Sequence, residues 1–249
     1  LEFRRVLFRS AERFGAELLF DDATKLELDG PVKKITVGNG DVIEAKTVVL
    51  AMGSEYRKLG LPDEARLSGF GVSWCATCDG AFYRNRAVAV VGGGDSAMEE
   101  ATFLTRFADT VYIVHRSDTF RASAAMLTKA QADPKIQFIT NAQVTGVLGA
   151  DTVAGITLEN TDGSTRVLDV EGLFIAIGSD PRTSLVVDQI TLTAEGNIAV
   201  DGRSSRTNLP GVFAAGDIID PTYRQAIVAA GSGAVAALDA QHYLESASH

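Results

Sequence analysis

A glycine-rich turn between an apolar strand and a helix, and a meander-plus-apolar-strand pattern that occurs twice, predict an α/β fold. The expected architecture is two Rossmann-like nucleotide-binding domains with three ββα layers, the first lacking its opening βαβ unit. A third observation marks where chemistry concentrates. The chain has only two cysteines, Cys75 and Cys78, and they form a C-x-x-C pair.

The composition suits such a fold. Of 249 residues, 46% are hydrophobic and 22% charged, enough apolar mass for a core in a chain of one or two domains. A net charge of −9 argues against nucleic acid as a partner, because phosphate binding needs basic patches. No apolar run is long enough to span a bilayer. Two closely spaced cysteines fit a reducing cytosol better than a secreted disulfide scaffold. Leu1–Ser10 is basic within an acidic chain and carries no signal-peptide core, so it reads as a non-native leading segment or as a native helical turn with exposed arginines.

In chain order, a short helix end at Ala11–Phe14 and a strand at Ala16–Phe20 come first. Alternating segments Lys25–Asp29, Lys33–Val37 and Asp41–Lys46 follow, with turns at Gly30-Pro31 and Asn39-Gly40. The apolar strand Thr47–Gly53 ends this first copy. The second copy repeats the plan over Val153–Glu159, Ser164–Val170 and the apolar strand Gly172–Gly178. Ahead of it lies a βαβ unit that the first copy lacks. Ala87–Val91 is a buried strand, and Ala97, Ala101, Leu104 and Ala108 mark one helix face. Thr110–Val114 is the next strand. The unpaired first domain is expected to expose a sheet edge and an apolar face.

The C-x-x-C spacing closes too short a loop to stabilise a fold well, and it suits reversible attack by one thiolate and resolution by the other. Asp79 follows directly and is placed to hand a proton to a departing thiolate. Half of a zinc site is the other reading, but no second pair completes four ligands. Of His115, His242 and His249, none has the spacing of a partner ligand.

Gly92-Gly93-Gly94-Asp95-Ser96-Ala97 has the form G-x-G-x-x-A and stands between strand and helix. Its glycines allow a tight turn and close approach of a pyrophosphate to the helix N-terminus. The next strand ends in His115-Arg116-Ser117, with Arg121 beyond. Arginines there favour a nucleotide 2′-phosphate over bare ribose hydroxyls; a solvated basic loop is the alternative. Near the C-terminus, Gly211–Asp217 reads as a buried strand ending on Gly216-Asp217, followed by a helix rich in small residues from Ala226. Taken alone, that helix reads as sheet packing or as the floor of a planar ligand.

Taken together, Trp74-Cys-Ala-Thr-Cys-Asp-Gly80, Val90–Ala97, His115-Arg116 with Phe120-Arg-Ala122, and Gly211–Asp217 with Tyr223-Arg-Gln-Ala226 resemble the low-molecular-weight bacterial thioredoxin reductases. The resemblance runs from about Ala11 to Leu244. It implies an FAD-binding domain split over residues 11–54 and 179–249, around an NADPH-binding domain at 55–178 that carries the redox motif. It implies NADPH over Gly92, Gly93, Gly94, Asp95, Ser96 and Ala97, with His115 beside the turn and Arg116 and Arg121 at the 2′-phosphate. Cys78 is implied as the flavin-side sulfur, Cys75 as the attacker of thioredoxin and Asp79 as general acid. Gly216 and Asp217 would meet the FAD ribityl chain, and Arg224, Gln225 and Ala226 the flavin ring. A cytoplasmic homodimer whose NADPH domain swings about hinges near Gly53-Ser54 and Gly178-Ser179 is implied as well.

The chain departs from that family at three places. The glycine motif expected to hold the FAD pyrophosphate is missing. Ser117 stands where a second arginine is usual, and Ala81 replaces an aromatic beside Phe82, where thioredoxin docks. Two other readings therefore stand beside the reductase: a non-catalytic NADPH-binding fragment that cannot hold FAD, and a related enzyme acting on another disulfide.

Overall fold

The computed structural model describes residues 2–247 and divides into two compact units. One runs to Ser54 and resumes at Pro181; the other is Glu55–Asp180. In chain order the elements are α1 (Glu2–Arg13), β1 (Ala23–Glu27), β2 (Lys33–Val37), β3 (Val42–Ala45), β4 (Val48–Leu50) and β5 (Ser54–Tyr56). Next come β6 (Val72–Ser73), α2 (Ala76–Asp79), β7 (Ala87–Val91), α3 (Asp95–Leu104), β8 (Thr110–Val114), α4 (Ala124–Ala132) and β9 (Ile136–Ile139). They are followed by β10 (Ala142–Leu148), β11 (Gly155–Asn160), β12 (Thr165–Leu168), β13 (Gly172–Ile175), β14 (Ser179–Pro181), β15 (Val212–Ala214) and α5 (Ala226–Ser246).

The second unit is a three-layer sandwich. Its central sheet has the order β6-β13-β7-β8-β9, with all four pairings parallel. Alternation along each strand sends side chains to opposite faces. Val88 and Val90 of β7, Val111 and Ile113 of β8 and Phe174 of β13 meet α3 and α4 in one core. Ala89, Val114, Leu173 and Ile175 turn to the other face and pack on the antiparallel meander β10-β11-β12. Because the sheet is covered on both faces, its strands are nearly continuous apolar runs.

The first unit has the matching meander, β1-β2-β3, and a two-stranded parallel sheet of β4 and β15. Leu26, Leu28, Leu50, Ile198, Val212 and Ala214 are central to its core. Lys33 is 2% exposed and gives its ammonium to the Pro210 carbonyl at 2.8 Å, which ties β2 to the chain before β15. Apolar surface remains open in this unit, at Phe14, Leu19 and Phe20 and along α5 at Ile227 and Leu238.

Four sequence expectations change. Residues 16–20 are not a strand. A strand exists only with a hydrogen-bonding neighbour, and no described segment runs beside this one. The second copy has a full three-stranded meander, because β10 precedes the two strands read from sequence. The helix α4 and the strand β9 lie between β8 and β10, where no element was expected. Glu2–Arg13 is one continuous helix; Leu1 and His249 lie outside the described residues.

Candidate active site

The cysteine pair begins a short helix. Cys75 is extended (φ −146°) and caps α2, its sulfur accepting the Cys78 N–H at 3.2 Å. The two cysteines are joined as a disulfide with Cα atoms 5.3 Å apart. Cys78 is exposed and Cys75 half-buried. Asp79 Oδ2 accepts a hydrogen bond from Ser73 Oγ at 2.7 Å, and the same Ser73 oxygen accepts the Cys75 N–H at 3.1 Å. Sequence reasoning missed Ser73; its one signal was a small polar residue closing a strand two places before Cys75. Asp79 also lines a cavity of about 230 Å³ with Phe82, Tyr83, Arg86 and Glu171. Burial, and then the charge of Asp79, pushes the Tyr83 hydroxyl above its ordinary pKa, while Arg86 opposes.

Sterics shape the glycine turn at the other end of α3. Gly92 has φ +154°, and a Cβ there would overlap the Ala176 carbonyl. A Cβ at Gly93 would overlap the imidazole of His115, which stacks on Phe120 at 5.0 Å between ring centres. Gly94 is different: a Cβ there meets nothing within 4 Å. The loop after β8 folds back onto this turn. Arg121 and Ala122 both give their N–H to the Gly93 carbonyl (2.8 and 3.1 Å), and Ser123 N–H bonds Asp95 Oδ1 at 2.6 Å. Gly92–Ala97, His115 and Arg121 are thereby brought together. Arg116 is exposed on the same loop, and neither arginine makes an ion pair among the described residues. Ser117 Oγ accepts the Thr119 N–H at 3.1 Å.

Gly216, Asp217, Arg224, Gln225 and Ala226 belong to the first unit. The Gly216 N–H bonds Ser232 Oγ of α5 at 2.9 Å, which docks the strand end on the helix. Burial and the neighbouring Asp220 raise the Asp217 carboxyl above its usual range, against the pull of Arg224. Asp220 is lowered: burial works against ionisation, but N–H groups of Tyr223, Thr222 and Arg224 at 2.7–2.9 Å outweigh it. Those three bonds hold Arg224 at φ +48° and aim the chain into Gln225, the cap of α5.

The model of the pyridine nucleotide-disulphide oxidoreductase family matches residues 9–233. A thioredoxin reductase of Streptomyces clavuligerus is 57% identical over 235 residues, covering 94% of this chain and 73% of that one. The chain belongs to the thioredoxin reductase family of pyridine nucleotide-disulphide oxidoreductases. A bifunctional thioredoxin reductase/thioredoxin of Mycobacterium leprae is 53% identical, over 94% of this chain and 51% of that protein. The crystal structure of thioredoxin reductase from Streptococcus pyogenes superposes with a TM-score of 0.92 at 40% identity, covering 98% of this chain and 80% of that one.

Membership implies use of a flavin and a pyridine nucleotide. The second unit fits the nucleotide. Gly94 opens onto free space, and the N–H groups of Asp95 and Ser96 have no acceptor among the described residues, as a pyrophosphate cradle requires. The first unit fits a flavin in part. Asp217 and the start of α5 suit the ribityl and ring end, but its described residues hold no glycine turn between parallel strand and helix for the pyrophosphate. No described helix is long and apolar enough to cross a membrane.

Proposed function

We infer that the chain is a thioredoxin-disulfide reductase, using NADPH and FAD to reduce the Cys75–Cys78 disulfide and then thioredoxin. The bonded Cys75–Cys78 pair, held by Ser73 and Asp79 in a chain this similar to thioredoxin reductases, carries the reading. FAD, when bound, supplies the relay of electrons between nicotinamide and disulfide. The open Gly94 and the free N–H groups of α3 receive the NADPH pyrophosphate, and Arg116 and Arg121 receive its 2′-phosphate. Asp217 holds the ribityl hydroxyls, and Arg224–Ala226 border the ring. Once the disulfide is open, Cys75 attacks the thioredoxin disulfide and Cys78 resolves the mixed disulfide. Asp79 moves the proton at the sulfurs. The setting is a cytoplasmic homodimer.

A trap tests the thiol roles. A thioredoxin with one active-site cysteine, activated as its thionitrobenzoate mixed disulfide, is offered to each variant. Cys78→Ser leaves Cys75 free and is expected to form a covalent one-to-one complex with release of thionitrobenzoate. Faster capture by Cys75→Ser would overturn the assignment.

A further inference from the structure

The buried hydroxyl of Ser73 touches both the redox pair and its acid. Ser73 is 3% exposed at the end of β6, the edge strand of the parallel sheet. Its oxygen accepts the Cys75 N–H at 3.1 Å, which leaves the hydroxyl proton for one acceptor. Two acceptors stand within reach, Asp79 Oδ2 at 2.7 Å and the Cys75 carbonyl at 3.4 Å, and the shorter contact wins. Asp79 Oδ1 has no hydrogen-bond partner among the described residues, and the carboxyl borders the cavity shared with Tyr83 and Arg86.

We propose that Ser73 is a positioning residue for the thiol–disulfide step: it pins Asp79 Oδ2 to the Cys75 backbone and leaves Oδ1 as the oxygen that carries the proton. The inference rests on the role of Asp79 as general acid. When a donor thiolate attacks the Cys75–Cys78 bond, one S–S bond forms and one breaks. The departing cysteine sulfur takes the electron pair and a proton, which Asp79 Oδ1 relays to it from solvent in the cavity. The Asp79 carboxyl thereby ends the step as it began. Without Ser73 the carboxyl rotates freely, and proton delivery loses its orientation.

The test reads disulfide opening without a flavin. Dithiothreitol reduces the purified chain, and Trp74, the only tryptophan and the neighbour of Cys75, reports the event by its fluorescence. Rates are taken across the neutral pH range for wild type, Ser73→Ala, Ser73→Thr, Asp79→Asn and the Ser73→Ala/Asp79→Asn pair. Ser73→Ala and Asp79→Asn are each expected to slow opening by roughly tenfold or more and to change the pH profile alike. The double variant is expected to be no slower than Asp79→Asn, as for two residues acting as one unit. Ser73→Thr, which keeps the hydroxyl, is expected to keep the wild-type profile. An Asp79→Asn effect with no Ser73→Ala effect, additive losses in the double variant, or a Ser73→Thr profile like that of Ser73→Ala overturns the positioning role. No effect of Asp79→Asn removes the acid role, and this inference with it.

Discussion

Arg57 grips Asp180 through three hydrogen bonds, Nε to both carboxylate oxygens (3.1 and 3.0 Å) and Nη2 to Oδ1 at 2.6 Å. The two residues lie on or beside β5 and β14, through which the chain enters and leaves the second unit. The Arg57 N–H also bonds the Gly178 carbonyl at 3.0 Å, and its carbonyl accepts the Trp74 indole N–H at 3.3 Å. The pair thus ties the two ends of the second unit together, beside the residue next to Cys75. Hydrogen bonding from Arg57 holds the Asp180 carboxyl below its usual range. A depressed carboxyl stabilises the fold above the ordinary carboxylate pKa and loses that contribution as pH falls through the depressed value. Both side chains are more than half exposed, so solvent screening limits the effect to about 1 kcal/mol or less. Asp180→Asn is expected to lower the melting temperature slightly at neutral pH, and the difference to vanish in acid.

The fit of His115 beneath Gly93 makes a sharper prediction. A Cβ at Gly93 has no room against the imidazole, so Gly93→Ala forces the ring and its Phe120 stack to move, at a cost of about 1–3 kcal/mol. NADPH binding measured by calorimetry is expected to weaken together with the melting temperature. Adding His115→Ala removes the obstructing side chain and is expected to recover most of the lost stability.

Ser117 offers the loop a short hydroxyl, already engaged with the Thr119 N–H. Arg116 and Arg121 are the cations proposed to receive a 2′-phosphate. Ser117→Arg adds a third, and one charge-assisted hydrogen bond strengthens NADP over NAD binding by about tenfold. Arg121→Ala is expected to do the reverse, with NAD affinity unchanged. Equal losses for both nucleotides would assign these arginines to packing instead.

Asp217 carries a raised carboxyl, so its charged form is disfavoured in the folded chain. A raised folded pKa means that the fold binds a proton more readily than the unfolded chain, so stability falls as pH rises from the ordinary carboxylate value through the raised one. Asp217→Asn is expected to melt higher than wild type at neutral pH, and the advantage to disappear in acid. The same change replaces one of the two carboxylate oxygens proposed to accept from the ribityl hydroxyls with an NH2 donor, so flavin retention measured by absorbance is expected to drop. A variant more stable yet worse at holding its cofactor marks a residue kept for binding.

Some of this was legible in the sequence, for physical reasons. The run from Ala87 to Val114 declares itself because a parallel strand covered on both faces must be apolar throughout, and the turn behind it must be glycine. Cys75 and Cys78 declare themselves by spacing. The strand at residues 16–20 misled because a short apolar run does not supply a neighbour. The four-residue β9, which begins two residues after Asp133-Pro134, has too little periodicity to register. Lys33 reads as surface, yet it is buried because Pro210, 177 positions away, offers it a carbonyl. Ser73 was invisible for the same reason: a hydroxyl acquires its role only when the fold brings Asp79 to it.

The most direct test of the account is thioredoxin-dependent oxidation of NADPH by the purified chain supplied with FAD. NADPH is expected to be consumed only when oxidised thioredoxin is present, and Cys75→Ser is expected to abolish the consumption while NADPH binding persists. Consumption that continues in Cys75→Ser, or no reduction of thioredoxin by the wild-type chain loaded with FAD, would contradict it.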